Sequence, residues 1–226
     1  MDEKRYRLLT RIAIIFTLFW MGWTLFDAGL INLKPGAYEL DAARKHLEDG
    51  NYDEALAQYR KAFVNDGENL GALRGMAQAL MQLGAKAEQM AASEPQSGSS
   101  EGVQAVEYYS QAMACYNEAI KHEEERENTP LRQRILGVAY ANRGILRDRM
   151  GDYSGALSDY RESMHLAPEV VEGPGFLVRF MRNQAEKPPT IADRVRYLQA
   201  ELVKPEAQRL LRMPAIDARQ RAYSID

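Results

Sequence analysis

Cysteine is almost missing from this chain: Cys115 stands alone among 226 residues, so no disulfide can close within it and no Cys-x-x-Cys pair exists for metal or redox chemistry. Histidine is nearly as scarce. His46, His122 and His165 are isolated, and His122-Glu123 lacks the second histidine of a zinc-protease helix. No glycine-rich phosphate loop and no nucleophile elbow occur, and there is no Asn-x-Ser/Thr acceptor. The acidic pairs Asp53-Glu54 and Asp148/Asp152 read as first-turn or exposed helix charges rather than as an acid/base dyad. These absences argue against an enzyme, and they assign no catalytic residue, cofactor-binding residue or metal ligand. Cys115 lies among Ala112, Tyr116 and Ala119 and reads as a small core residue, with a reactive thiol as the alternative.

Alternating β-branched patterns are also rare, glycine and proline fall mainly at turns, and 46% of the residues are hydrophobic, which together predict an all-α chain. Charge is unevenly spread. Residues 35–178 carry 14 Lys/Arg against 23 Asp/Glu, whereas residues 179–226 carry 10 against 6. The acidic body makes nucleic acid a poor partner. The basic end reads either as solvated or as lying against the acidic body or an acidic partner.

One long apolar run is present. From Ile12 to Phe26 every residue is apolar, aromatic, Gly or Thr, and the run reaches the length needed to cross a bilayer, about 20 residues, once Leu8–Arg11 or Asp27–Ile31 is added. A buried core helix would show a polar face, and a cleaved signal would need small residues where Phe26 and Asp27 stand, so an uncleaved anchor is predicted. Lys4, Arg5, Arg7 and Arg11 precede the span and only Lys34 soon follows, so the N-terminus is expected in the cytoplasm and the rest outside it, in the periplasm of a bacterium. Phe16, Trp20 and Trp23 recur on one side of the anchor. They face lipid or pack on a partner's transmembrane helix.

Beyond the anchor, one spacing occurs three times: Gly50-x-Tyr52-x2-Ala55-x3-Tyr59-x2-Ala62, Tyr109-x2-Ala112-x3-Tyr116-x2-Ala119, and Gly151-x-Tyr153-x2-Ala156-x3-Tyr160-x2-Ser163 with Pro168 beyond. Small and aromatic residues three or four apart share one helix face, so a preceding antiparallel helix can approach closely while the rings fill the space beside it. A small residue also stands seven positions before each expected turn glycine: Ala43 before Gly50, Ala77 before Gly84 and Gly144 before Gly151. The spacing is broken by residues 85–107, read as an insertion in the hairpin turn that is helical at its ends and loose in the middle. The acidic run His122–Glu127 is expected to prolong a helix. Thr190 and Asp193 predict a capped closing helix from Arg194 to Val203. The last stretch, interrupted by Pro205 and Pro214, reads as disordered or as an extended segment laid on a surface.

These motifs resemble the tetratricopeptide repeat family over residues 36–170, most closely in YANRGILRDRMGDYSGALSDYRESMHLAP at 140–168, where Arg143 and Arg147 replace a large apolar residue and suggest a more polar seam. The resemblance implies a tetratricopeptide-type helical-hairpin solenoid of about three repeats behind one N-terminal transmembrane helix. The expected organisation is a basic stub and anchor at 1–34, the repeat array at 35–178, and a capping helix with an extended basic tail at 179–226. First helices of such hairpins line a groove for a peptide or partner helix. By the resemblance, Leu40, Arg44, Arg74, Gln78, Ala141 and Ile145 line that groove together with Asn142, unless Arg44 and Arg74 merely pair with carboxylates such as Asp41 or Glu48. Asn142 is the one position similar to the family's carboxylate clamp, which is otherwise incomplete. The expected function is that of a membrane-anchored protein-interaction scaffold, assembly factor or accessory subunit of a bacterial inner-membrane complex. No cofactor, nucleic acid or small-molecule substrate is expected. A periplasmic holding chaperone for exported chains, or an organelle docking receptor of opposite topology, are the alternatives.

Overall fold

The computed structural model describes residues 3–27, 35–93, 100–171 and 190–212, and among these every regular element is helical. The helices are α1 (Glu3–Asp27), α2 (Ala37–Glu48), α3 (Tyr52–Asn65), α4 (Leu70–Ser93), α5 (Ser100–Glu124), α6 (Pro130–Arg149), α7 (Tyr153–Leu166), α8 (Pro168–Val171) and α9 (Ile191–Leu202), with a short 3-10 turn at Glu206–Gln208. From α2 to α7 each helix packs on the next, with the most extensive pairing between the long helices α4 and α5. One main apolar core runs from Ala43 of α2 to Leu198 of α9.

Local chemistry sets the helix ends. Gly50 and Gly151 take left-handed backbone, φ 78° and 84°, and close α2 and α6. In each turn the glycine N–H bonds back to a carbonyl of the last helical turn (Leu47, 3.2 Å; Asp148, 3.1 Å). The next N–H reaches one residue further back (His46, 2.8 Å; Arg147, 2.9 Å). That double bond pattern satisfies carbonyls the helix would otherwise leave open. Asp152 caps α7 by accepting from Gly155 N at 2.9 Å. Thr129 caps α6 by accepting from Arg132 N, with Pro130 at the first helical position where no N–H is needed. Arg132 then reaches back to the Glu123 and Glu124 carbonyls, both at 2.7 Å, and so ends α5 as well.

Gly84 is not a turn residue. It lies inside α4, buried, because α4 continues to Ser93 and α5 begins at Ser100. Of the stretch 85–107, residues 85–93 and 100–107 are therefore helical, with Ala87 and Ala105 buried, and 94–99 fall outside the described residues.

The seams depend on small residues beneath tyrosine rings. Ala43, Ala55, Ala62, Ala77, Ala112 and Ala156 are fully buried, and so are Tyr116 and Tyr160, with Tyr59 and Tyr109 nearly so. A Cβ built on Gly75 would lie 2.2 Å from the Tyr59 ring, one on Gly84 2.5 Å from Tyr109, and one on Gly144 2.6 Å from Tyr160. Each ring occupies the volume a larger residue would need. Gly75, which the spacing did not single out, carries this contact between α3 and α4.

α9 closes the core with Ile191, Val195 and Leu198 buried. Its start is a capping box: Thr190 Oγ1 accepts from Asp193 N at 3.2 Å, and Thr190 N donates to the Asp193 carboxylate at 3.1 Å. Residues 172–189 and 213–226, which include Pro214 and half of the basic residues of the 179–226 end, lie outside the described residues.

Two glycines in the long hairpin separate packing from propensity. Gly84→Ala should cost about 1–3 kcal/mol through overpacking against Tyr109. Gly102→Ala, with nothing within 4 Å of its new methyl, should gain about 0.5–1 kcal/mol as a better helix former. Thermal melts of the two variants, moving in opposite directions from the parent, check this.

Burial pushes the Tyr59 phenol up to about 12, and burial followed by the Glu88 carboxylate does the same for Tyr109. The fold thus favours the neutral phenol, so its contribution is intact below the ordinary value of about 10 and is lost as pH climbs toward 12. Phenolate absorbance from these two residues should appear together with loss of helical circular dichroism above that range.

Candidate functional site

α1 is long and apolar enough to cross a membrane, and none of its residues is buried. Its threonine hydroxyls are satisfied within the helix: Thr10, Thr17 and Thr24 donate to the Tyr6, Ala13 and Met21 carbonyls at 2.9–3.0 Å. An apolar medium requires this, since no water is there to take the bond. Phe16, Trp20 and Trp23 are all more than half exposed. Trp23 lies 6.5 Å from Phe19 and 6.5 Å from Phe26, ring centre to ring centre. The aromatic face is therefore wider than the three residues noted from spacing. Phe19 and Phe26 belong to it, and the same i+3, i+4, i+7 count would have found them.

The residues expected to line a groove meet different fates. Arg44 is exposed and pairs with Asp41 at 3.6 Å, one of the carboxylates foreseen for it. Leu40 is half-buried against the main core. Gln78 is half-buried on a stripe of α4 that also holds Gly71, Arg74, Gln82 and Ala85, each of them partly exposed. Arg74 is not an open groove cation, because its Nη1 donates to Glu123 Oε2 at 3.2 Å and its side chain is 19% exposed. Burial pulls the Arg74 guanidinium down from its ordinary value, and the Glu123 charge opposes that.

On α6 the expected register is wrong. Ala141 and Ile145 are fully buried and Asn142 is buried, so none of them can face a partner across a groove. α6 packs chiefly on α7 and α5, and Ala141 and Ile145 belong to the main core. One turn on, Asp148 is bonded by Arg194 from α9 at 2.7 Å on both carboxylate oxygens. Beyond its first two turns, the residues of α6 that keep some exposure are Tyr140, Arg143, Arg147 and Arg149.

Arg143 and Arg147 form the polar seam that their sequence positions suggested. Arg143 grips Asp159 of α7 with Nε at 2.9 Å and Nη2 at 2.7 Å, reaches Asn117 of α5 at 2.9 Å, and lies over the Tyr140 ring. Arg147 approaches Asp159 at 3.4 Å and Asp152 at 3.8 Å. Asp148 is likewise not an exposed helix charge: it is buried, held by Arg194, and accepts from Tyr160 Oη at 3.2 Å. Sequence spacing gave no sign of the Arg194 partnership, since the two residues lie 46 positions apart.

A second convergence was also hidden in the sequence. Glu88 of α4 accepts from Tyr109 Oη of α5 and from Arg212 Nη1, both at 2.9 Å, and Arg212 Nη2 donates to the Arg149 carbonyl at the end of α6. Residues 203–212 thus fold back from α9 and run over the body. Cys115 is half-buried, and burial pushes its thiol up from its ordinary value, which lowers the thiolate share a nucleophile needs. Among the described residues no cluster of His, Cys, Asp and Glu stands close enough to hold a metal ion. No protein-family model matches this chain, and no curated protein matches it in sequence.

The two arginines once paired as groove cations should now separate. Arg44→Ala should leave stability within about 0.5 kcal/mol, since it removes an exposed pair. Arg74→Ala strands the buried Glu123 carboxylate, leaving only Arg126 nearby at 3.7 Å, and should cost about 1–3 kcal/mol. Adding Glu123→Gln to Arg74→Ala should recover part of the loss, as read by chemical denaturation.

Proposed function

We propose that this chain is a single-pass, membrane-anchored scaffold, assembly factor or accessory subunit of an inner-membrane complex, acting through protein contacts. In this reading α2–α7 form a tetratricopeptide-type solenoid of about three hairpins, held outside the cytoplasm by α1. The observation that carries it is the recurring seam, a small residue beneath a tyrosine ring at Gly75/Tyr59, Gly84/Tyr109 and Gly144/Tyr160. Such repetition builds an extended surface rather than a pocket. A helix with no buried residue ahead of this body, preceded by Lys4, Arg5, Arg7 and Arg11, supports the anchor and its orientation.

One observation favours the second reading, a holding chaperone for exported chains. Met90, Val103 and Val106 are more than half exposed near the tip of the α4–α5 hairpin, where apolar surface could meet unfolded chains with little selectivity. Purification in detergent separates the two. One stoichiometric partner set fits a subunit, and a broad mixture fits a chaperone.

A reporter active only in the periplasm, fused after Asp226, should be active, and a cytoplasm-only reporter should be silent. The reverse would sink the localisation and the chaperone reading together and leave a docking receptor of opposite topology. Exchanging α1 for an unrelated span of equal length should lower recovery of the complex if the Phe16/Phe19/Trp20/Trp23/Phe26 face packs on a partner helix. Unchanged recovery would assign partner choice to the helical body.

A further inference from the structure

The way residues 209–212 are held has the form of ligand recognition. Three successive main-chain groups are read by side chains of α9: Leu210 N donates to Glu201 Oε2 at 2.9 Å, the Leu210 carbonyl accepts from Tyr197 Oη, and the Leu211 carbonyl accepts from Arg194 Nη2 at 2.8 Å. Any extended peptide offers those groups. Side-chain selectivity enters at only two places. Leu211 packs against the main core, whereas Leu210 is 68% exposed. The Arg212 guanidinium sits between the Glu88 carboxylate and the Arg149 carbonyl, at 2.9 and 2.5 Å.

The receiving groups are fixed without the segment. Arg194 is locked in a two-pronged bond to buried Asp148, Glu201 is paired with Lys204, and Glu88 is also held by Tyr109. The segment itself is held by main-chain hydrogen bonds, by Leu211 on the core and by Arg212, without a buried charge of its own. Residues 203–208 are exposed, and its one charged anchor, the Arg212–Glu88 pair, has side chains 54% and 38% exposed. A pair this open contributes about 0–1 kcal/mol. A prepared site whose occupant offers only an open ion pair, one apolar side chain and main-chain groups common to any extended peptide is one that another segment can fill.

We propose that the surface formed by Glu88, Arg149, Arg194, Tyr197 and Glu201 is a docking site for an extended segment of a partner protein in which an apolar residue is followed by arginine, and that residues 209–212 occupy it in cis. The occupant is basic because the body it meets is acidic, with 23 Asp/Glu against 14 Lys/Arg in residues 35–178, and because Glu88 closes the arginine position. Partner binding then requires displacement of the chain's own segment, which lowers apparent affinity until the partner is abundant. The proposal deepens the protein-interaction reading, but the site can be tested without the membrane or the natural partner.

The test uses the full chain in detergent and a fluorescent peptide with the sequence of residues 206–213. In the Arg212→Glu variant, Glu88 repels the cis segment, and the Leu210 and Leu211 amides should lose hydrogen-exchange protection. The peptide should bind that variant about tenfold more tightly than the parent, where the cis segment competes. A peptide with Asp at the Leu211 position, or Glu at the Arg212 position, should not bind, and adding Glu88→Lys to the variant should abolish capture of the unaltered peptide. Arg212 is half-exposed, so folding should be intact, and Arg212→Ala provides a milder version. Release of the segment with no saturable peptide binding would overturn the docking site. Unchanged amide protection would overturn the exchange, making 209–212 a fixed part of the fold. Association of the chain with itself that the peptide dissolves would replace the foreign partner with a second copy. If the site binds as expected while the reporters give the reverse topology, only the localisation falls.

Discussion

Close approach of helices at residues with little or no side chain is the constraint on which the rest of this structure depends. Wherever Gly75, Gly84 or Gly144 meets a tyrosine ring, the ring fills the volume that a Cβ would claim, so the two helices lock at a distance larger residues could not reach. The same contact fixes which face of each helix is buried. The stripe Gly71–Arg74–Gln78–Gln82–Ala85 on α4 stays only partly buried because the seams have taken the other sides.

Charges are placed against that framework at some cost. Asp148, Asp159 and Glu123 are all buried, and removing a carboxylate from water is expensive unless its bonds are replaced. Each is met by an arginine from another helix: Arg194 from α9, Arg143 from α6 and Arg74 from α4. Such pairs add little net stability, but a helix docked in the wrong register would strand a buried charge. They therefore specify where α9 sits, and α9 in turn presents the side chains that hold residues 209–212.

Legibility in the sequence followed the range of the interactions. The small-aromatic spacing marked Ala43, Ala55, Ala77, Ala112, Gly144 and Ala156 as seam residues, and all are buried. Gly50 and Gly151 were readable as turn glycines because a left-handed residue between two apolar periodicities is a local event. Gly84 misled for the same reason, since a glycine inside a helix and one ending it look alike until a partner ring is known. The groove residues fared worst. Ala141 and Ile145 were assigned outward by counting from Gly144 and Asn142 by the family resemblance, but the first two belong to the main core and Asn142 is buried beside them.

By itself the sequence determined what periodicity and local chemistry can encode: an all-helical body, an apolar N-terminal helix of spanning length, the capped turns, and the small residues beneath tyrosines. Only the tertiary structure decided which charged residues are paired inside, which side of α6 is closed, and where the chain's last described residues are held. Those outcomes depend on contacts between segments distant along the chain, as in Arg194 with Asp148 and Arg212 with Glu88. A basic residue on a helix face has the same local signature whether it meets solvent or a buried carboxylate, and the difference is set by the helix that packs against it.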